Sequence, residues 1–157
     1  MTNGERQFSM TAIGTVSAPR HSLADDDWGA VASSIELRPP LGPEALTGLD
    51  AFSHLEVVFV FDRVNPTEVH TGRRHPRGNP DWPEVGILAQ RAKDRPNRIG
   101  VTVCELVGVS GTTISVRGLD AIDGTPVLDV KPYFREFGPR REIRQPAWSH
   151  QLMARYF

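Results

Sequence analysis

Two segments in the second half of the chain combine residue types that can bind a charged ligand. Residues 91–100 read RAKDRPNRIG and place cations on both sides of a Pro-Asn pair. Residues 118–133 read GLDAIDGTPVLDVKPY and space carboxylates among Gly and Pro. Gly and Pro restrict the backbone path while the charges select a partner, and a binding site needs both. We therefore predict a site of mixed charge built from these two segments.

The carboxylates of the second segment are predicted to have different roles. Asp123 precedes Gly124, and its simplest role is to cap a turn through its own backbone. Asp120 and Asp129 flank apolar residues, and a buried carboxylate needs hydrogen-bond donors or a cation. Their candidate partners are Arg91, Arg95, Lys131 and the hydroxyl groups of a ligand.

Signatures of other chemistries do not occur in the sequence. There is no Gly-x-x-x-x-Gly-Lys phosphate loop and no Gly-x-Gly-x-x-Gly dinucleotide loop. The single cysteine, Cys104, is predicted to be an inert buried thiol rather than a nucleophile. His54 opens a strand that is expected to be buried, and we expect a structural histidine with its hydrogen bonds satisfied rather than a base. The histidines lack the spacing of metal ligands, so we predict no metal site.

Composition predicts one globular domain without a membrane span. The chain has 157 residues, 39% of them hydrophobic and 24% charged. The net charge of −1 argues against strong non-specific binding to nucleic acid. Basic clusters at residues 73–77, 91–98 and 135–144 either bind a polyanion or simply face solvent. No secretory signal is visible and the longest apolar run is too short to cross a membrane, so we expect a cytoplasmic protein.

Short apolar stretches separated by Gly and Pro predict an all-β fold, either a sandwich or a barrel. Residues 54–61 form the strongest predicted strand and are expected to be buried on both faces. Residues 62–84 are expected to form a long, functional loop. We predict a helical turn at residues 43–46 and a terminal helix at residues 147–157. The other predicted strands are residues 11–17, 34–37, 86–89, 99–109, 112–116 and 127–130.

The two charged segments resemble motifs of the TrmO/VirR-like family of S-adenosylmethionine-dependent methyltransferases. The family motifs are Arg-Ser-Pro-x-Arg-Pro-Asn-Pro-Ile-Gly and Asp-x-x-Asp-Gly-Thr-Pro-Val-Leu-Asp-Ile-Lys-Pro-Tyr. This chain departs from the first motif at Ala92, Lys93 and Arg98. Shorter matches at residues 13–17, 26–29, 48–55 and 61–63 extend the resemblance over about residues 11–137.

The resemblance implies an all-β fold, namely a single-sheeted antiparallel β-barrel with short helices, and a homodimer. It divides the chain into a flexible N-terminus (residues 1–10), a β-barrel methyltransferase domain (residues 11–137) and a C-terminal extension (residues 138–157). The cofactor it implies is S-adenosylmethionine, bound near the subunit interface.

Site residues are also implied by the resemblance. The implied cofactor-binding residues are Asp27, Trp28, Gly29, Asp62, Arg63, Arg91, Val101, Arg117, Gly118, Leu119 and Asp120. The implied pocket-shaping residues are Arg95, Pro96, Asn97, Ile99, Asp123, Thr125 and Asp129. The residues expected to bind the substrate are Arg77, Lys93, Arg98, Lys131 and Tyr133. A base of the substrate is expected to stack on Trp82, Tyr133 or Phe134, unless these aromatic side chains belong to the core.

The implied function is methylation of N6 of threonylcarbamoyladenosine beside the tRNA anticodon, with the anticodon loop as the partner. Two alternatives remain open. One is a methyltransferase acting on a small molecule, and the other is a non-catalytic S-adenosylmethionine-binding regulatory dimer. The sequence does not identify the general base that methylation of this nitrogen calls for.

Overall fold

Six strands of the computed structural model, which describes residues 4–157, close into one antiparallel β-barrel. The strands of the chain are β1 (Gly14–Ser17), β2 (Ala32–Leu37), β3 (His54–Val60), β4 (Arg73–Arg74), β5 (Val85–Gly86), β6 (Ile99–Ser110), β7 (Thr113–Arg117) and β8 (Pro126–Pro132). The barrel order is β1-β2-β7-β6-β3-β8, and β8 pairs back onto β1. The predicted single-sheeted antiparallel barrel is confirmed.

Strand β3 lies between β6 and β8 and shows how the barrel is packed. Leu55, Val57 and Phe59 point inward and are almost fully buried, whereas the residues between them are partly exposed. The prediction that this strand is buried on both faces was wrong. A closed barrel has a single core face, so even an apolar run leaves alternate side chains outside.

The barrel interior is filled by side chains. A strand barrel of this size encloses only enough space for its own inward residues, and these form one apolar cluster. Its members include Val16, Ile35, Leu55, Val57, Phe59, Ile114, Val116, Leu119 and Val127. A ligand must therefore bind outside the barrel.

Gly100 lets strand β6 pass close to two aromatic rings. It pairs in register with Phe59 on β3, and the rings of Phe59 and Phe61 pack edge to face at 5.2 Å. A Cβ atom at position 100 would lie 2.5 Å from the Phe59 ring and 2.9 Å from the Phe61 ring. Glycine at this position thus allows both rings to cover the strand.

The chain between β3 and β6 makes a long excursion, residues 61–98, away from the barrel. It contains the two-stranded sheet of β4 and β5 and short 3-10 helices, which cover Pro66–Glu68, Pro76–Gly78, Ile87–Ala89 and Pro96–Arg98. The strand predicted at residues 86–89 was wrong except at its first residue. A short apolar run does not distinguish a strand from a helical turn. Here Ile87 is buried, but it begins a 3-10 helix rather than extending the strand.

Most other predicted elements are present with shifted ends. The helical turn is the 3-10 helix Pro43–Leu46; a further 3-10 helix covers Leu49–Ala51 and another Arg135–Phe137. The C-terminal helix, α1, is shorter than predicted and covers Ala147–Met153. Residues 4–10 are exposed and have no regular secondary structure, and residues 1–3 of the predicted N-terminal segment lie outside the described residues. Within residues 4–157, no helix has the length and apolar character needed to cross a bilayer.

We expect Gly100→Ala to destabilise the barrel. Phe59 is almost fully buried, so its ring cannot move away from the new methyl group, and overpacking of this kind costs about 1–3 kcal/mol. Urea denaturation measures the free energy of unfolding. Gly108→Ala, on the same strand, is the matched control because a Cβ atom there meets nothing within 4 Å. Equal stability of the two variants would contradict the packing argument.

Candidate functional site

A cleft of about 1580 Å³ lies outside the filled barrel. Its lining residues come from residues 23–28, 56–68, 74–103, 120–125 and 145–157. The barrel wall thus forms one side, while the excursion and the C-terminal residues form the others. The cleft is larger than a typical small-molecule pocket of about 300–1,000 Å³, which leaves room for one ligand and part of a second.

The cleft brings together part of each predicted set of site residues. It is lined by Trp28, Asp62, Arg63, Arg91, Val101 and Asp120 of the cofactor set, by Arg95, Ile99 and Thr125 of the pocket-shaping set, and by Arg77 and Lys93 of the substrate set. The predicted residues that do not line it are Asp27, Gly29, Arg117, Gly118, Leu119, Pro96, Asn97, Asp123, Asp129, Arg98, Lys131 and Tyr133. The roles of all these residues stay predictions.

Asp120 is directed into the cleft by its neighbours. Gly118 has a φ of +82°, which turns the chain out of β7. Leu119 and Ala121 are almost fully buried on either side of Asp120. Because both neighbours are fixed in the core, the half-buried carboxylate between them is held in one place.

The partners of Asp120 differ from those predicted. The hydroxyl groups of Thr102 on β6 and of Tyr156 each donate a hydrogen bond to one carboxylate oxygen. Burial, and then the charge of Asp120, raises the pKa of the Tyr156 phenol, so the phenol stays protonated and remains a donor. The predicted partners Arg91, Arg95 and Lys131 make other contacts.

Most arginine side chains near the cleft donate hydrogen bonds to backbone carbonyls of the loops and so stabilise the loop conformations. Arg91 donates to the Val101 carbonyl at 2.7 Å, so it anchors residues 91–95 to β6. Arg95 donates to the Gln90 carbonyl, and Arg98 to the Val64 carbonyl. The further contacts of this kind are those of Arg63 with the His21 carbonyl and of Arg20 with the Asp26 and Asp27 carbonyls.

Carboxylates of the 25–27 run form ion pairs with two of the predicted substrate-binding cations. Arg77 Nη2 lies 3.0 Å from an oxygen of Asp26, and Lys93 Nζ lies 3.7 Å from an oxygen of Asp25. These pairs connect the loop after β1 with the excursion. An anionic ligand at Arg77 or Lys93 would therefore compete with Asp25 and Asp26.

Asp27 has a strained backbone, and the Trp28 side chain that follows it is held by Arg20. Asp27 has a φ of +65°, and the guanidinium of Arg20 lies 3.8 Å from the centre of the Trp28 ring. Trp28 is only 3% exposed, so its indole forms part of the floor of the cleft. Strain of this kind persists only where surrounding contacts hold it, and it concentrates at functional sites.

A second polar cluster stabilises the rim. Arg74 and Asp94 form a bidentate ion pair, and the arginine holds the pKa of the Asp94 carboxyl below its ordinary value. The buried side chain of Gln90 donates to the Arg74 and Val85 carbonyls. Together these contacts join β4, β5 and residues 90–95 into one unit.

Several predictions outside the cleft are corrected or confirmed. Asp123 does not cap its own turn; it accepts from the Ala18 amide at 3.0 Å and ties the turn to the end of β1. Asp129 pairs with Lys131, one of its predicted partners, at 2.8 Å. His54 hydrogen-bonds Ser53, as expected of a satisfied structural histidine, but it lies exposed at the start of β3 rather than in a buried strand. Cys104 is confirmed as a buried thiol, and burial raises its pKa to about 12.

Sequence reasoning missed two groups of lining residues. Thr102 is an ordinary strand residue, and nothing in the sequence marks it as a partner of Asp120. The C-terminal residues Trp148, Leu152 and Tyr156 recur at every fourth position, which is the spacing of one helix face. This signal predicts a packed face, but it does not reveal which surface the face packs against.

Comparison with known proteins gives one matching family model, the tRNA-methyltransferase O N-terminal domain, over residues 15–138. The chain is 31% identical to a TrmO from Pseudomonas aeruginosa of known crystal structure, with a TM-score of 0.73 over 88% of this chain and 61% of that one.

Curated relatives differ greatly in length. A human tRNA (adenine(37)-N6)-methyltransferase is 37% identical over 108 residues, which are 69% of this chain and 24% of the relative. A probable S-adenosyl-L-methionine-binding protein of Methanothermobacter thermautotrophicus is 34% identical over 84% of this chain and 94% of the relative. The chain spans about a quarter of the first mammalian relatives it matches and nearly all of the archaeal one.

We expect the stability difference between the parent chain and Asp94→Asn to depend on pH. The pKa of Asp94 is lower in the folded state than in the unfolded state. The ionised carboxylate therefore stabilises the fold fully at pH values above the ordinary aspartate pKa of about 3.9. That contribution, about 1 kcal/mol for a partly exposed pair, is lost as the pH falls through the folded-state pKa. Urea denaturation from pH 7 to pH 2.5 measures it. Asp81→Asn, at an exposed carboxylate with no ion pair in the described chain, is the control. A difference that stays constant with pH would rule out the ion pair as its source.

Proposed function

The chain belongs to the family of the tRNA-methyltransferase O N-terminal domain, and on this basis we propose that it is an S-adenosylmethionine-dependent methyltransferase acting on N6 of threonylcarbamoyladenosine beside the tRNA anticodon. The observation that carries the proposal is the Asp120 carboxylate, held in the cleft by buried neighbours, with Arg91 on the same cleft. The names of the human and archaeal relatives support the reaction and the cofactor respectively.

The residues around the cleft fit the chemical groups of S-adenosylmethionine. The cofactor carries an aromatic base, ribose hydroxyls, a sulfonium and an amino-acid end with both charges. Asp120 suits the hydroxyls or the ammonium, and Arg91 suits the carboxylate or an RNA phosphate. Phe61 and Val101 supply apolar surface for the base.

When bound, S-adenosylmethionine supplies an electrophilic methyl group. The task of this chain is to align that group with the acceptor nitrogen and to exclude water. Asp120, with both oxygens already bonded to fixed donors, is rigid enough to define one orientation. Too strong a pairing with the sulfonium would not raise the rate, because positive charge disperses as the methyl group moves.

We propose that the tRNA acceptor binds the part of the cleft lined by Arg77 and Lys93. Arg77 and Lys93 line the cleft, and their pairs with Asp26 and Asp25 would open to phosphate groups. Arg140, Arg141 and Arg144 are exposed and precede the helix that lines the cleft. Arg98, Lys131 and Tyr133 lie outside the cleft lining, and the proposal gives them contacts with more distant parts of the RNA.

A homodimer and a cytoplasmic location complete the proposal. The resemblance supports the dimer, and β6 carries Val103 and Val107 exposed on its outer face. Val103 also borders the cleft, so a second copy covering this strand would lie beside the cofactor. A tRNA substrate supports the cytoplasm as the place of action.

We expect S-adenosylmethionine to bind the parent chain and to bind Asp120→Ala and Arg91→Ala more weakly, because each removes a charged partner of the cofactor. Loss of a charged hydrogen bond corresponds to about a tenfold or greater rise in Kd. Isothermal titration calorimetry measures Kd. Asp50→Ala and Arg38→Ala, at exposed residues outside the cleft lining, are the matched controls. Unchanged affinity in both site variants would remove the site assignment.

We expect transfer of a labelled methyl group from S-adenosylmethionine to tRNA that carries threonylcarbamoyladenosine, because the cleft has room beside the cofactor for a base. Nucleoside analysis by mass spectrometry identifies the N6-methyl product, and tRNA lacking the carbamoyl modification is the control. Methylation of a metabolite pool but not of tRNA would favour a small-molecule methyltransferase. Tight cofactor binding without transfer to either would favour the regulatory binding protein; the archaeal relative's name describes S-adenosyl-L-methionine binding alone.

A further inference from the structure

Residues 146–157, the C-terminal strap, form one wall of the cleft. The strap comprises helix α1 and the turn after it, and it lies outside the part of the chain that matches the family model. Its side chains on the cleft include Trp148, Leu152, Met153, Tyr156 and Phe157. The wall is therefore built from residues to which the family comparison gives no role.

The strap is bonded to both stretches that are proposed to hold the cofactor. The amide of Asp27 donates to the Arg155 carbonyl at 2.8 Å, and the amide of Trp28 donates to the Tyr156 carbonyl at 2.7 Å. The hydroxyl of Tyr156 donates to Asp120. Tyr156 thus connects residues 27–28 with Asp120 through its backbone and its side chain.

Close packing confines the strap to this position. A Cβ atom on Gly29 would lie 2.6 Å from the carbonyl carbon of Phe157, so the two backbones are in direct contact. Away from the carboxylate, the indole of Trp82 donates to the Gln151 side chain at 2.8 Å. The strap therefore has one attachment to the excursion and a separate one to the cofactor stretch.

The Tyr156 hydroxyl donates to one oxygen of the Asp120 carboxylate, and that carboxylate has little freedom to move otherwise. Thr102 holds the other oxygen, and the neighbours of Asp120 are buried. A phenol that stays protonated is a permanent donor, so it fixes which lone pairs of the carboxylate remain for a ligand. Removing the hydroxyl would free the carboxylate to turn without emptying the cleft.

We propose that Tyr156 is a positioning residue of the cofactor site, which acts through Asp120 by holding its carboxylate in the orientation that S-adenosylmethionine meets. The inference rests on the proposed function and deepens it. The competing possibility is that the strap acts as a plug, meaning that Tyr156 occupies the position on Asp120 that the cofactor needs and must be displaced before the cofactor binds. The two roles predict opposite changes in affinity.

The test is isothermal titration calorimetry of S-adenosylmethionine with the full chain and two single variants. Tyr156→Phe removes only the hydroxyl, and we expect Kd to rise about tenfold, the effect of one hydrogen bond to a charged group. Gln151→Ala, the matched control, loosens the other attachment of the strap and should leave Kd within roughly twofold, since Gln151 does not line the cleft. Thermal melting establishes that each variant is folded.

A double-mutant cycle separates positioning from a general structural effect. If Tyr156 acts through Asp120, adding Tyr156→Phe to Asp120→Asn should change Kd little. The inference would be overturned if Tyr156→Phe weakened cofactor binding equally in the parent chain and in Asp120→Asn. It would also be overturned if Tyr156→Phe alone left Kd unchanged or lowered it, and a lower Kd is the result expected for a plug. Absence of binding to the parent chain would instead overturn the proposed function.

Discussion

Closure of six strands around a filled interior is the constraint on which the rest of the structure depends. Leu55, Val57 and Phe59 occupy the space that the barrel encloses, so no ligand can enter it. Any site must be built on the outer wall by chain that leaves the barrel. Residues 23–28, 61–98 and 120–125 and the C-terminal strap do so, and the cleft lies where they meet the wall.

The segments that connect the strands of the closed barrel determine which charged side chains face the cleft. Asp120 follows β7 through a left-handed glycine and is held between buried neighbours, which exposes one carboxylate at a defined point. Most nearby arginines bond backbone carbonyls, because a loop without regular structure leaves those carbonyls unpaired. The cations therefore give the loops their shape first, and those that also line the cleft, such as Arg91 and Lys93, are the ones proposed to meet a ligand.

Local sequence predicted the parts of the fold that follow from periodicity and turn chemistry. The long strand ending near Val109, the return strand after Gly111 and the helical turn at Pro43 were all predicted from such patterns. Burial of β3 on both faces was wrong because a residue run does not reveal how many faces of a sheet are covered. Asp123 was assigned to its own turn because its bond to Ala18 joins residues 105 positions apart, which no local pattern encodes.

The amino-acid sequence by itself determined the family resemblance, the all-β class and the two charged segments, because these depend on residue types at short, fixed spacings. Only the tertiary structure decided which of those residues share a cleft. It placed Asp120 against Thr102 and Tyr156 rather than against the arginines, and it brought the C-terminal strap to residues 27–29. The reason is physical: contacts between distant residues follow from barrel closure and packing, whereas the local sequence specifies only the segments that closure brings together.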